Sequence, residues 1–245
     1  MTADLTVQTV ALVWVGAFLG AIAVGAAGFA LGLAASSVWL HVLDPLHNTF
    51  LIVGCGFALH VTLTWRMRAQ IDVPRLWPFL VGGLIGVPVG VYLLTHVDLR
   101  VVKMALGIFI LLYGVYAFVA PKLPTIERGG RTADGTVGLL AGILGGLGGY
   151  NGVLPAIWTQ LRGWPKETAR AVYQPFILAT HIAILTCLGI VALDRYSVIL
   201  LAVALPPLFV GVWVGWRIYG RLNERYFRRL LSALLIVSGA TLVLS

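Results

Sequence analysis

Residues 142–170 read GILGGLGGYNGVLPAIWTQLRGWPKETAR, an apolar stretch that is interrupted first by a cluster of glycines and then by Pro155. The cluster consists of Gly145, Gly146, Gly148, Gly149 and Gly152. Because glycine adopts positive φ and both residues weaken a helix, the pattern predicts a helix that breaks and restarts at about residues 152–160. Irregular backbone at membrane depth persists only where it is buried in protein or lines a polar cavity. The first N–H groups of the second helix would then face that cavity, where helix N-termini favour anions.

A related stretch, GAAGFALGLAASSVWLHVLDP, occupies residues 25–45. A shift of 120 residues places Gly25, Gly28 and Gly32 on Gly145, Gly148 and Gly152. Nearer the ends of the two halves the shift is 125, which places Asp98 on Asn223 and Arg100 on Arg225. Chance is the alternative, since glycine is common in this chain. Internal repeats that each open with a broken helix are typical of secondary transporters. We therefore predict an N-terminal membrane repeat over residues 1–120, a polar connector over 121–134 and a C-terminal membrane repeat over 135–245.

The composition is that of an integral membrane protein. Of the 245 residues, 60% are hydrophobic and 11% are charged, whereas soluble domains carry about 25% charged residues. The net charge of +8 comes from basic residues in short loops between apolar runs, so a lipid bilayer is expected as the partner and nucleic acid is not. No Lys or Arg precedes the first apolar run, which argues against a cleaved signal peptide. Cys55 and Cys187 lie in apolar runs and are interpreted as packing residues.

The distribution of basic residues predicts how the chain crosses the membrane. Two charge-free runs, 5–43 and 135–161, are longer than one crossing needs, and both contain the glycine breaks. If each forms a re-entrant hairpin, 14 of the 17 basic residues fall on one side of the membrane, whereas eight full crossings divide them seven against ten. Cytoplasmic loops collect Lys and Arg, so the hairpin arrangement is favoured. The predicted fold is an all-α polytopic membrane protein with two inverted repeats, each a re-entrant hairpin followed by three transmembrane helices, with both termini outside the cytoplasm.

The candidate substrate-binding residues lie where the two broken helices would meet near the membrane midplane. In the first half they are Gly28, Phe29, Ser36 and Ser37, and in the second they are Gly149, Tyr150, Asn151, Gly152 and Gln174. Exposed N–H groups, the Asn151 amide and the Tyr150 hydroxyl would suit an oxyanion without a buried cation. The alternative is a tight turn in which Asn-Gly only supplies left-handed geometry.

Two histidines inside apolar runs, His60 and His181, are candidates for proton coupling or substrate contact, since ionisable groups within a membrane are usually functional. The alternative is that each is a structural core residue. Gln174 adjoins Pro175 at an expected kink and would face the cavity, while Arg170 is expected to extend its side chain to the membrane interface.

The paired glycine-broken openings and the polar-flanked helices that follow them resemble the sulfite exporter TauE/SafE family of bacterial anion permeases, and the resemblance covers essentially the whole chain. The first repeat departs from the second in carrying Ala35 where the second carries Pro155. The resemblance implies a multi-pass permease of the bacterial inner membrane, with a small sulfur-containing anion such as sulfite or an organosulfonate as its substrate.

Several chemistries lack the residues they require. The chain has no G-x-x-x-x-G-K-[ST] motif for an ATPase and no H-E-x-x-H or intramembrane carboxylate pair, so neither catalytic residues nor a metal or other cofactor are expected. Alternatives to a permease are a membrane-embedded enzyme or assembly partner and a passive anion channel. Facilitated diffusion fits the sequence as well as proton coupling does. The oligomeric state stays open, a homo-oligomer being one alternative.

Overall fold

The computed structural model describes residues 6–97, 99–120, 124–192 and 194–244, and those residues form helices and loops without strands. Asp98, used above to align the repeats, lies outside the described residues, as do 121–123 of the connector. The helices are α1 (Val7–Ala27), α2 (Leu31–Trp39), α3 (Pro45–Arg66), α4 (Val73–His96), α5 (Leu99–Val119), α6 (Gly130–Gly148), α7 (Val153–Leu161), α8 (Lys166–Ala192), α9 (Arg195–Arg221) and α10 (Glu224–Leu244), with a 3₁₀ turn at Arg68–Gln70.

The helices confirm an all-α polytopic membrane protein. Among the described residues six helices, α1, α3, α4, α8, α9 and α10, contain a segment long and apolar enough to cross a bilayer. Five of these were predicted to cross; α1 was assigned to a hairpin, and α5, the sixth predicted crossing, has a shorter apolar part at Met104–Val119. Large apolar side chains are exposed on several of these helices, including Ile85 (61%), Leu112 (66%) and Val210 (55%), as expected for surfaces in contact with lipid.

Each glycine-broken segment folds back on itself as a helical hairpin. In the first, α2 returns along α1: Gly20 lies against Leu31 and Ala35, and the Trp39 indole N–H donates to the Val13 carbonyl at 3.2 Å. We call α1 and α2 hairpin 1.

In the second segment α7 returns along α6, and we call this pair hairpin 2. The Trp158 indole N–H donates to Asp134 at 2.7 Å near the base of the pair, and Gly145 lies against Asn151 near its tip. The two ends of the segment are joined, because the Ile126 N–H donates to the Leu161 carbonyl at 2.7 Å. Hairpin 2 therefore begins and ends on the same side of the molecule.

The halves pack crosswise through two glycine-rich helix contacts. Helix α4 packs against α6, with Gly82 against Gly135 and Gly90 against Ile143. Since the residue numbers rise together, the two helices are parallel. Helix α1 packs against α9 in the same parallel sense, with Gly211 against Phe18 and Gly215 against Ile22. The first hairpin thus packs on a helix of the second half, and the second hairpin on a helix of the first.

The remaining cross-half pairs join corresponding helices. Helix α5 packs against α10 in the antiparallel sense, with Gly107 against Leu242 and Gly114 against Ser232. Helix α3 packs against α8, where Gly56 contacts the ring of His181. Exchanging the two halves therefore leaves this pattern of helix pairs unchanged.

The element bounds adjust two details of the sequence alignment. The helices that end at the breaks, α1 and α6, are capped by Gly28 and Gly149, so Gly28 corresponds to Gly149 rather than to Gly148. Helix α6 begins at Gly130, inside the stretch interpreted as a connector. Its Asp134 is buried and accepts the hydrogen bond from the Trp158 indole.

Candidate functional site

The tips of the two hairpins meet in the interior of the protein. A Cβ atom at Gly32 would lie 2.8 Å from the carbonyl oxygen of Gly149, and one at Gly152 would lie 2.7 Å from the Cβ of Phe29. These distances are too short for any side chain larger than hydrogen, so the glycines allow backbone from opposite halves of the chain to approach closely. The meeting of the broken helices expected from the sequence is present in the structure.

Left-handed backbone makes each turn. Gly28 has φ +86° and donates its N–H to the Val24 carbonyl, and Gly149 has φ +74° and donates to the Gly145 carbonyl. Ala30 is also left-handed, with φ +80°, and it is the one non-glycine residue with positive φ among those described. Such a conformation costs an L-residue about 1–2 kcal/mol, so strain is concentrated at this tip.

Free N–H groups from both short helices converge between the tips. In α2 the first residue whose N–H donates to a backbone carbonyl is Ala34, so the N–H groups of Leu31, Gly32 and Leu33 have no backbone acceptor. In the second tip the N–H groups of Asn151 and Gly152 have none either. Two helix N-termini with unpaired donors provide partial positive charge from opposite directions, and such ends favour anions.

A small cavity lies at this junction. Its volume is about 20 Å³, and it is lined by residues 29–33 and 149–153 together with Ile52, His60, Ile177 and His181. A space of this size accommodates roughly one water molecule. A ligand larger than water would therefore need the tips to separate.

His60 and His181 form one wall of the cavity. Each is only 2% exposed, and their ring centroids are 5.5 Å apart at 66° between planes. The Nδ1 atoms of both rings are buried without a hydrogen-bond partner. Two buried imidazoles with unused nitrogens beside a cavity are unusual, because buried polar atoms are normally paired.

Serine, tyrosine and asparagine side chains link the two tips. The Tyr150 hydroxyl donates to the Ser36 hydroxyl oxygen at 3.4 Å, and the Asn48 amide donates to the same oxygen at 3.3 Å. Ser36 thus lies close to the predicted site without lining the cavity. Ser37 does not join it, since its hydroxyl donates to the Ala34 carbonyl of its own helix at 2.8 Å.

Asn151 lines the cavity, but its amide donor is already engaged. Its Nδ2 donates to the Thr180 hydroxyl at 2.7 Å and lies 3.5 Å from the Ile177 carbonyl. The side chain therefore anchors the second tip to α8, and the donors directed at the cavity are backbone N–H groups.

Arg170 is not at the membrane interface, so that expectation was wrong. Its side chain is 0% exposed, and Nη1 donates to the carbonyls of Gly25 and Ala26 at 3.2 and 3.4 Å. The guanidinium also lies 4.0 Å from the centroid of the Tyr219 ring and 5.1 Å from that of Trp216. A cation at the C-terminal carbonyls of α1 is favoured by the helix dipole and compensates the bonds lost at the break.

Gln174 and Tyr173 complete this cap. With its amide oxygen facing Arg170, Gln174 accepts bonds from Nη2 at 2.6 Å and Nε at 3.1 Å. The Tyr173 hydroxyl donates to the Ala27 carbonyl at 2.6 Å. Gln174 is therefore behind the first tip rather than in the cavity. The spacings from 170 to 173 and 174 place all three side chains on one helix face, which is the signal that sequence reasoning could have used to find the cap.

No group of three or more His, Cys, Asp or Glu side chains that could hold a metal ion occurs within the described part of the chain. The two cysteines are unpaired, with Cys55 buried in α3 and Cys187 half-buried in α8.

Comparison with known proteins identifies a family for this chain. The family model described as sulfite exporter TauE/SafE matches residues 12–242, nearly the whole chain. Neither a comparison with curated proteins nor one with solved structures found a match. Because the family model covers both hairpins and all the helices that follow them, the chain belongs to the sulfite exporter TauE/SafE family, whose members are membrane transporters rather than enzymes.

Proposed function

We propose that the protein is a secondary transporter of a small sulfur-containing anion, such as sulfite or an organosulfonate, and that the anion binds between the two hairpin tips. The observation that carries the proposal is that residues with unpaired backbone N–H groups, at the start of α2 and just before α7, line one cavity. Backbone donors at two opposed helix N-termini bind oxyanion oxygens well, and broken helices at the midplane are a common way for transporters to do so.

The helix directions support two inverted repeats with re-entrant hairpins, and we propose that these lie in a bacterial inner membrane. If residues 135–161 crossed the membrane, α10 would be the fourth crossing after α5, and α5 and α10 would be parallel. If those residues form a re-entrant hairpin, α10 is the third crossing after α5, and α5 and α10 are antiparallel. The contacts of Gly107 and Gly114 show the antiparallel arrangement. The joined base of hairpin 2 supports the same arrangement.

Transport by alternating access follows from the closed cavity. The anion cannot fit in about 20 Å³, so binding requires the hairpins to move apart, and the two sides of the membrane gain access in turn. Each hairpin packs against a helix of the opposite half, so a displacement of one half moves the hairpin of the other.

Coupling to protons through His60 and His181 is a second part of the proposal. Both rings line the cavity and have an unused nitrogen, so a proton and an anion could occupy the site together. Facilitated diffusion, without a proton, is the alternative.

The test is uptake of radiolabelled sulfite and of a small sulfonate into liposomes that contain the purified protein, with and without a pH gradient. We expect saturable uptake that Asn151→Ala reduces by about tenfold or more, because the second tip loses its anchor to Thr180. Gln70→Ala, an exposed amide in the 3₁₀ turn, is the matched control. Flux that rises linearly with concentration would indicate a channel, and absence of flux for both anions in folded protein would contradict the substrate assignment.

Proton coupling has its own readout. If the histidines carry the proton, an inward proton gradient accelerates uptake, and His181→Gln removes the acceleration while leaving uptake without a gradient measurable. His96→Gln, an exposed histidine at the end of α4, is the control. Identical uptake with and without the gradient in the unmodified protein would establish facilitated diffusion instead.

A further inference from the structure

A second, much larger cavity lies beside the hairpin-tip site. It has a volume of about 710 Å³ and is formed by the end of α7, the start of α8 and the start of α10. We call it the basal cavity. A sulfite ion fits in it with its hydration water, whereas the cavity between the tips holds roughly one water.

The charged residues that line the basal cavity are mainly basic. Lys166, Arg225 and Arg228 line it against a single carboxylate, Glu224. That carboxylate is already engaged, because it accepts the backbone N–H of Lys166 at 3.1 and 3.3 Å. Three basic residues against one acidic residue leave an excess of positive charge on the lining, and such a recess concentrates anions.

An amide without partners also lines the basal cavity. Both the nitrogen and the oxygen of the Gln160 side chain are buried and make no hydrogen bond within the described structure. Buried amides are normally paired, so this side chain has an unused donor and an unused acceptor at the edge of the cavity.

Two aromatic rings, one lining each cavity, are in contact with each other. Tyr173, which is fully buried, lies at the inner end of the basal cavity, and Phe29 lines the cavity between the tips. Their ring centroids are 6.3 Å apart in an edge-to-face arrangement at 77°. The Tyr173 hydroxyl is bonded to the Ala27 carbonyl, so its ring is held against the first tip.

We infer that the basal cavity is the vestibule through which the anion travels between one face of the membrane and the site between the tips, and that Phe29 and Tyr173 form the gate between them. The inference rests on the proposed function. The loops beside the cavity belong to the side that holds 14 of the 17 basic residues, so the vestibule opens to the cytoplasm in the predicted topology. The ligand class is a small oxyanion, and the headgroup of an acidic phospholipid shares that chemistry.

The charge of the vestibule is tested with a cysteine in place of Gln160, in a protein with Cys55→Ala and Cys187→Ala. A negatively charged thiol reagent and an uncharged one are added to the reconstituted protein, and the two labelling rates are compared. We expect the anionic reagent to be favoured by about tenfold, and Arg225→Gln to reduce that preference several-fold. Arg229→Gln removes the same charge from an exposed position on α10 that does not line the cavity, and should leave the preference unchanged.

The gate is tested with a cysteine in place of Val153, which lines the cavity between the tips and is 1% exposed. This cysteine should resist the reagent in the otherwise unchanged protein and become labelled when Phe29→Ala is added. Phe29→Leu replaces the alanine variant if thermal unfolding shows that the latter is misfolded. Resistance in both backgrounds, in folded protein, would overturn the gate.

Two versions of the same labelling experiment distinguish free sulfite from a lipid headgroup as the occupant of the cavity. In liposomes of neutral lipid, sulfite should slow labelling of the cysteine at position 160. If sulfite has no effect and an acidic phospholipid slows labelling instead, the cavity holds a lipid headgroup and the vestibule assignment is wrong. Labelling does not require transport, so the two proposals can fail separately. Charge-selective labelling without sulfite uptake would contradict the proposed substrate and support the vestibule. Sulfite uptake without charge-selective labelling would support the substrate and contradict the vestibule.

Discussion

Gly32 controls the contact between the two hairpin tips. Its missing side chain leaves room for the Gly149 carbonyl, which would be 2.8 Å from a Cβ atom. We expect Gly32→Ala to push the tips apart and to reduce anion uptake by about tenfold or more, since small displacements at a binding site are costly. Uptake into proteoliposomes at several substrate concentrations measures the effect.

The matched control is Gly220→Ala near the end of α9. A Cβ atom there has no neighbour within 4 Å, and alanine is the better helix former. This variant should transport normally. Equal uptake by the two variants would show that the close approach of the tips is not needed for transport.

Arg170 stabilises the broken end of α1. Replacing it with methionine leaves the Gly25 and Ala26 carbonyls without their donor, at a cost of about 1–3 kcal/mol for each buried group. We therefore expect Arg170→Met to lower the unfolding temperature and to reduce transport. Thermal unfolding in detergent measures the change in unfolding temperature. Arg170→Lys should restore the unfolding temperature only in part, because one ammonium group cannot reproduce the guanidinium fork.

Arg221→Met is the comparison, since that arginine is exposed at the end of α9. An unfolding temperature for Arg170→Met as high as that of Arg221→Met would contradict a capping role.

The sequence predicted the site residues unevenly. Gly28, Phe29 and residues 149–152 could be found because glycines that break an apolar helix are visible in one segment. The function of Arg170 could not, because its partners lie more than 140 residues away and a basic residue near a loop normally reaches water. Asn151 lines the cavity between the tips, but its bond to Thr180 could not be predicted because it depends on how α8 packs.

At the level of helices, the parallel contact between α4 and α6 is tight because glycine backbone meets glycine backbone. A Cβ atom at Gly142 would lie 2.2 Å from the Gly83 carbonyl oxygen, so Gly142→Ala must separate the two helices. Overpacking of this kind costs about 1–3 kcal/mol, and we expect a lower unfolding temperature.

Gly135→Ala on the same helix is the control. Its Cβ would meet only the Pro78 carbonyl, at an ordinary 3.5 Å, and alanine favours the helix. Its unfolding temperature should be unchanged or higher. Thermal unfolding of both variants in the same detergent decides the matter, and a loss of equal size in both would show that the contact is not tightly packed.

The second short helix was predictable to within one residue at each end. Helix α7 was expected at about 152–160 and is Val153–Leu161, because the glycines and Pro155 define where it can begin. Helix α6 begins earlier than its composition suggests, since Arg131 and Asp134 make its first turns polar. Which helices pack against each other could not be derived from the sequence, because the glycines that allow close contact are common throughout the chain.

For the whole molecule, the direction of the first hairpin sets the topology. If hairpin 1 is re-entrant, Thr6 and Gln70 lie on opposite faces of the membrane; if it crosses, they lie on the same face. We expect Thr6→Cys to react with an impermeant thiol reagent on intact cells and Gln70→Cys to react only after permeabilisation, in the background without native cysteines.

His96→Cys, in the next loop, should react like Thr6→Cys and serves as the positive control. If Thr6→Cys and Gln70→Cys react from the same face, hairpin 1 crosses the membrane and the inverted arrangement of the repeats is lost.

The crosswise packing of the hairpins also constrains how the protein is made. Phe18 and Gly211 contact each other across α1 and α9, and 193 residues separate them in the chain. At typical ribosomal rates the first hairpin therefore waits roughly 10–40 s for its partner helix to be synthesised. During that interval the face of α1 that packs against α9 has only lipid or the insertion machinery to cover it. Truncated chains that end before α9 should be degraded faster than the full-length protein, however well their own helices insert.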